Sequence, residues 1–370
     1  MTVALFDCRV SPAAREALDP VWQTGALAAG PAVPELERRL AQLLDGRSVA
    51  AMSDMTQALA MALRLVGVGP GDEVATLALN CMSSNSAIAM LGATPVWVDV
   101  NPATVTVDLD DLKAVIGPRT RAVAIYHVAG RVANLQALRR LCDEAGLPLI
   151  EDANNALGAT WRGRPAGTFG TSAVFSFYAN RQLNGIEGAA LACDPDAAAR
   201  VRTLRRFGID VARFRTPDGE IDPALDVPEI GVPASLPNVN ATLALRAMDD
   251  LSERLAHNRA NAARLRDALH NVPDLRFVEE LDGASGAHWV ALVRSPRRND
   301  WMPALKAKGI QCSRLHQRND RYTGFGATAR HLPGTDVLER EMFALPVGWW
   351  LSESDLTQIV HVVRTVAKER

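Results

Sequence analysis

Leu147-Pro-Leu-Ile-Glu-Asp-Ala153 is an apolar run closed by two adjacent carboxylates, and its reading decides the fold. The pattern predicts a buried strand over 147–152 with Asp152 at its carboxyl end. Residues 135–145 before it repeat apolar side chains at helical spacing, and 121–128 form another strand-like run. The alternation continues outward. Upstream, helical patterns over 33–45, 56–66 (opening on Thr56 as a cap) and 84–91 interleave with strand patterns over 48–53, 73–79 and 94–100. Gly69-Pro-Gly-Asp72 supplies turn chemistry. Downstream, 172–177 and 189–193 complete the set. Strand–helix–strand repetition over about 150 residues predicts a mostly parallel α/β sheet covered on both faces. Ligands of such sheets bind beyond the carboxyl ends of the strands, so Asp152 and residues 53–56 are expected at a site.

Beyond this sheet the character changes. Residues 207–239 are rich in Pro, Gly, Asp and Arg and read as a long surface excursion. A helical stretch over 241–272 leads to strands over 288–294 and 310–315 and helices over 301–308 and 355–366. The expected division is a large α/β domain over 1–245 and a smaller C-terminal α+β domain over 246–370. A length of 370 residues suits two such units. With 48% apolar and 22% charged residues the composition is ordinary for a globular chain. A formal net charge of −2 argues against a grip on nucleic acid or an acidic membrane surface. No apolar run suits a spanning helix, and the first residues do not read as a secretory signal. Cys8, Cys81, Cys142, Cys193 and Cys312 lack zinc-like spacing, so reduced thiols in a cytoplasmic protein and no metal site are expected.

Further motifs carry a resemblance. They are Gly69-Pro-Gly-Asp-Glu-Val74, Leu91-Gly-Ala-Thr-Pro-Val-Trp-Val-Asp99, His127-Val-Ala-Gly130, Glu151-Asp-Ala-Asn-Asn-Ala-Leu-Gly-Ala159, Phe175-Ser-Phe-Tyr178 and Glu187-Gly188. In this order the chain resembles the DegT/DnrJ/EryC1/StrS family of sugar aminotransferases, from about residue 30 to residue 366. The resemblance implies the fold type I aminotransferase architecture and pyridoxal phosphate (PLP) or its amine form (PMP). It also implies a homodimer with sites at the subunit interface, and a sugar nucleotide, cyclitol or related carbonyl compound as substrate.

Carried over residue by residue, the resemblance implies that Asp152 bonds the protonated pyridine nitrogen. The phosphate cradle maps to Asp54, Met55 and Thr56, where Met55 replaces glycine and Asp54 brings a negative charge. Ser176 is the retained phosphate-binding serine, and Asn238 the asparagine offered to the neighbouring subunit. Cys81 stands where an aromatic residue stacks on the ring, and Asn155 where a glutamine faces the ring hydroxyl. The Schiff-base lysine position, fixed by Phe175–Tyr178 on one side and Leu183 with Glu187-Gly188 on the other, reads Arg181.

Transamination needs an amine that can be neutral, add to an aldehyde and shuttle a proton. A guanidinium stays protonated and instead holds carboxylate or phosphate through two parallel hydrogen bonds. The only lysines are Lys113, Lys306, Lys308 and Lys368, against 36 arginines. Three readings follow. The chain is a non-transaminating enzyme on a bound carbonyl or sugar-type substrate, with Arg181, Asp152 and His127 as candidate catalytic residues. In that case PLP or PMP is held non-covalently or is absent. Alternatively it is an inactive partner subunit, or an ordinary aminotransferase using another lysine such as Lys306 or Lys308. His316, Arg314 and Arg318 are further candidates to touch substrate, while Arg202, Arg205 and Arg206 read as a solvated helix face.

Overall fold

A computed structural model of the chain describes residues 2–326 and 330–369. Its central sheet has seven strands: β1 (Ser48–Met52), β2 (Glu73–Leu77), β3 (Thr94–Val98), β4 (Thr120–Tyr126), β5 (Leu149–Asp152), β6 (Ser172–Ser176) and β7 (Ala189–Cys193). They lie side by side as β3-β2-β4-β5-β6-β7-β1. All pairs are parallel except those made by β7, which runs antiparallel to β6 and β1. The expected fold type I α/β architecture, mostly parallel, is the one observed.

Both faces are covered, so successive residues of one strand enter different cores. In β5, Leu149 packs on the face with α1 (Ala32–Leu43), while Ile150 packs on the face with α2 (Met55–Leu65) and α3 (Met82–Met90). By the same alternation Glu151 turns to the α1 face and Asp152 to the α2–α3 face.

The C-terminal sheet is antiparallel, in the order β8 (Arg276–Phe277), β9 (Ala291–Arg294), β10 (Met342–Leu345). It shares a separate core with the terminal helix 353–368 and with Val3. The helical stretch expected over 241–272 is two helices, α4 (Asn238–Asp249) and α5 (Leu251–Leu269), meeting at Asp250. The 245/246 division therefore falls within α4.

Three local expectations are corrected. Residues 310–315 are not a strand; only single bridges, Val3 to Ile310 and Ser313 to Ala344, form there. The cap of α2 is Asp54, not Thr56: Asp54 Oδ1 accepts the Gln57 N–H at 2.8 Å. Arg202 and Arg206 are exposed as expected, but Arg205 is not solvated, and Arg202 and Arg205 share a partner. They converge on the buried Glu37 carboxylate at 2.9 and 2.6 Å, and the Ala51 N–H donates to the same group. Among the described residues no helix is long and apolar enough to cross a membrane.

Candidate functional site

Asp152 ends β5 and is 2% exposed. Ser84 on α3 donates its hydroxyl to Asp152 Oδ2 at 2.5 Å, and the Asn154 side chain donates to Oδ1 at 2.9 Å. Burial raises the carboxyl pKa above its ordinary value, and the Ser84 and Asn154 hydrogen bonds only partly offset that rise. Asn154 continues the chain of contacts, its Oδ1 accepting Arg181 Nη2 at 3.2 Å.

Arg181 is held on three sides. Its Nη1 donates to Asn180 Oδ1, and its guanidinium lies over the Trp289 ring, 4.6 Å from the centroid. Trp289 is in turn fixed by stacking on Phe6 at 4.6 Å and by donating Nε1–H to the Asn180 carbonyl at 2.8 Å. Burial lowers the guanidinium pKa, while Tyr126, Cys81 and Asp152 act in the opposite sense. No carboxylate among the described residues forms an ion pair with Arg181, and its Nε is buried without an acceptor.

Tyr126 closes another side. Its hydroxyl accepts the Ala129 N–H at 3.1 Å and the Asn155 Nδ2–H at 2.6 Å, which leaves its own hydrogen for His316 Nε2 at 3.1 Å. Burial, then the charge of Arg181, hold the His316 pKa down to about 4, so the ring is neutral and Nε2 can accept. Asn155 Oδ1 is buried and has no partner. Of the C-terminal candidates only His316 joins this set. Arg318 is bound by Asp320 and Asp336, and Arg314 reaches Asn299.

The His127 backbone N–H donates to the Asp152 carbonyl at 3.0 Å, but the His127 side chain turns away from this cluster. Its Nε2 lies 3.1 Å from Glu151 Oε2, and Glu151 faces away from Asp152. Burial opposes the Glu151 charge, but His127 and the N–H groups of Gly167 and Gly170 outweigh it and lower the pKa. His127 thus braces the loop after β5, and its Nδ1 has no partner.

Asp54, Met55 and Thr56 open α2. The Asp54 carboxylate already occupies the positive end of that helix. The buried Met55 points its sulfur to within 4.0 Å of Ser83 Oγ, which also donates to Cys81 Sγ at 3.1 Å. Ser176 Oγ accepts the Tyr178 N–H at 3.2 Å. The Asn238 amide is used within the chain, donating to the Ala26 carbonyl at 2.8 Å and accepting from the Ala32 N–H at 2.9 Å. A Cβ on Gly30 would come within 2.6 Å of that amide, so glycine permits the approach.

These groups match one end of pyridoxal phosphate and not the other two. A buried carboxylate suits a protonated ring nitrogen. The aldehyde requires a primary amine, yet Lys113, Lys306, Lys308 and Lys368 are all exposed, on helices 109–115, 298–307 with its cap, and 353–368. At the phosphate end, Asp54 sets one anion against another. A tethered, phosphate-anchored cofactor does not fit this arrangement. No group of three or more His, Cys, Asp or Glu side chains able to hold a metal lies among the described residues.

Sequence reasoning missed Ser84, Asn154, Tyr126 and Trp289. Ser84 and Asn154 lay inside recognised segments, and only their side-chain direction was hidden. Trp289 carried no local signal.

The DegT/DnrJ/EryC1/StrS aminotransferase family matches residues 10–364. AtS13 from Actinomadura melliaura is 34% identical, with a TM-score of 0.92 and 98% of each chain covered. The sugar aminotransferase CalS13 from Micromonospora echinospora is 31% identical, with a TM-score of 0.92, covering 98% of this chain and 99% of its own. DesI, solved in the presence of its TDP-sugar product, is 30% identical, with a TM-score of 0.86, covering 99% of this chain and 94% of its own. With the fold and nearly the whole length in agreement, the chain belongs to the DegT/DnrJ/EryC1/StrS aminotransferase family.

Proposed function

We propose that this chain is a family member that binds a carbonyl or sugar-type substrate between Asp152 and Arg181 without transferring an amino group through a lysine. The observation that carries this reading is the absence of any lysine from the cleft, where a half-buried arginine stacked on Trp289 lies two hydrogen bonds from Asp152. The motif register supports Arg181 as the occupant of the lysine position. A guanidinium that remains protonated cannot add to an aldehyde. It orients an anionic or carbonyl oxygen instead.

Asp152 would hold the ring nitrogen of PLP or PMP, bound non-covalently if at all, and the group would supply an electron sink. Asp152, kept in place by Ser84 and Asn154, is the group that accepts a proton or an N–H. Arg181 fixes the ligand's orientation, and the neutral His316 with Tyr126 forms a wall of donors and acceptors. A nucleotide-linked keto-sugar or cyclitol is the substrate class that the relatives support. A cytoplasmic homodimer is the assembly proposed, five free thiols being in keeping with a reducing compartment. The proposed units over 1–245 and 246–370 each contain one of the two sheets, although residues of both contribute to the core that includes Leu149 and Leu292.

The test is a titration with PLP followed by visible absorbance, on the native chain and on Arg181→Lys. The native chain should give no stoichiometric, saturable borohydride-reducible chromophore. Such a chromophore in the native chain would overturn the proposal.

A further inference from the structure

Two of the three supports of Arg181 run through Trp289. The indole carries the guanidinium over its ring, 4.6 Å from the centroid. Its Nε1–H donates at 2.8 Å to the carbonyl of Asn180, the residue whose side chain accepts Arg181 Nη1. The third support is Asn154 Oδ1 at 3.2 Å. Neither side-chain acceptor is charged, so the direction of the guanidinium is set by the ring face beneath it and not by an ion pair.

Trp289 in turn depends on contacts from outside its own segment. It follows His288, whose φ of +44° lies in the left-handed region, a conformation that an L-residue keeps only where its surroundings impose it. The Trp289 N–H reaches the Ala129 carbonyl at 3.3 Å, a long bond. The ring stacks on Phe6 at 4.6 Å, with an interplanar angle of 19°.

Phe6 is not free to move with the indole, because the chain on either side of it is tied down. Val3 donates its N–H to the Gly309 carbonyl at 2.8 Å and accepts the Gln311 N–H at 3.0 Å. The Trp350 Nε1–H donates to the Ala4 carbonyl at 3.2 Å, and the Leu5 N–H to Gln311 Oε1 at 3.3 Å. After Phe6, the Cys8 carbonyl accepts the Asn184 Nδ2–H at 3.4 Å, from the loop that carries Arg181. Residues 3–8 run as a strap from the C-terminal core to the edge of the cleft, with Phe6 between the anchors.

We propose that Phe6 is a positioning residue of the cleft: held by the strap, it fixes Trp289, and through Trp289 it sets where Arg181 presents its charge to the substrate. This rests on the reading that Arg181 orients the substrate.

The test follows the Arg181 Nε–H resonance in the 15N-labelled chain without added ligand, with Arg181→Gln used to assign it. The ring current of Trp289 shifts this resonance upfield for as long as the guanidinium lies over the indole. Phe6→Ala should move it downfield and speed its hydrogen exchange at least about tenfold. Phe6→Leu, which keeps apolar volume but not the flat face, should move it in the same direction, and Phe6→Tyr should restore the native position. Phe343→Leu, a truncation in the separate C-terminal core, lowers stability and should leave the resonance where it is. An unmoved resonance in both Phe6→Ala and Phe6→Leu, or an equal movement in Phe343→Leu, would overturn the role of Phe6. A borohydride-trapped adduct in the native chain would overturn the underlying reading instead, so the two failures are distinguishable.

Discussion

His316 reports the charge of the cleft through pH. Its folded pKa lies near 4 because burial, then Arg181, disfavour the imidazolium. The ordinary histidine value is about 6.5. The unfolded chain therefore binds the proton first. Stability from this group is full above about pH 6.5 and is lost as pH falls toward 4. With these values the loss is about 2 kcal/mol by pH 5 and about 3 kcal/mol by pH 4. Comparison with His316→Asn isolates the term from other carboxyl titrations. At pH 7 the variant should be less stable by about 1 kcal/mol, the worth of the hydrogen bond to Tyr126. By pH 5 the difference should move about 2 kcal/mol in the variant's favour. Urea unfolding at both pH values measures this. Arg181→Gln should shrink the shift by removing the second cause. Parallel stability–pH profiles for native chain and His316→Asn would refute the reasoning.

Other outcomes follow from single contacts. Ser84→Ala removes a donor from a buried carboxylate and should cost about 1–3 kcal/mol in urea unfolding, with an unchanged midpoint counting against the contact. Glu37→Gln strips the partner of Arg202 and Arg205 and should cost about 3 kcal/mol; a loss under about 0.5 kcal/mol would mean that the pair is solvated after all. Asp54→Ser keeps a cap on α2 but removes its charge. Stability should hold within about 0.5 kcal/mol, and PLP uptake by equilibrium dialysis should strengthen by roughly 1 kcal/mol.

Asp152 was legible because strand ends bear ligands in parallel sheets, and the apolar run before it fixed where the strand stops. The relay beyond it was not, for reasons of distance along the chain. His316 meets Tyr126 across 190 residues, and Ser84 meets Asp152 across 68. No periodicity encodes such contacts. His127 was a candidate through the His127–Gly130 motif, but Glu151 draws its ring to the opposite face. Residues 310–315 alternate like a strand, yet the neighbouring chain pairs with them at only two points. Arg205 shows the converse: a charge in a helical pattern reads as solvated until the tertiary fold brings Glu37 beneath it.

The central claim is that no side-chain amine serves this cleft. Incubation of the native chain with PLP, reduction with borohydride and mass mapping of the peptides addresses it most directly. The account predicts no cofactor-bearing peptide from the cleft and at most scattered labelling of exposed lysines. A single stoichiometric adduct on one of the four lysines, blocked by substrate, would contradict it.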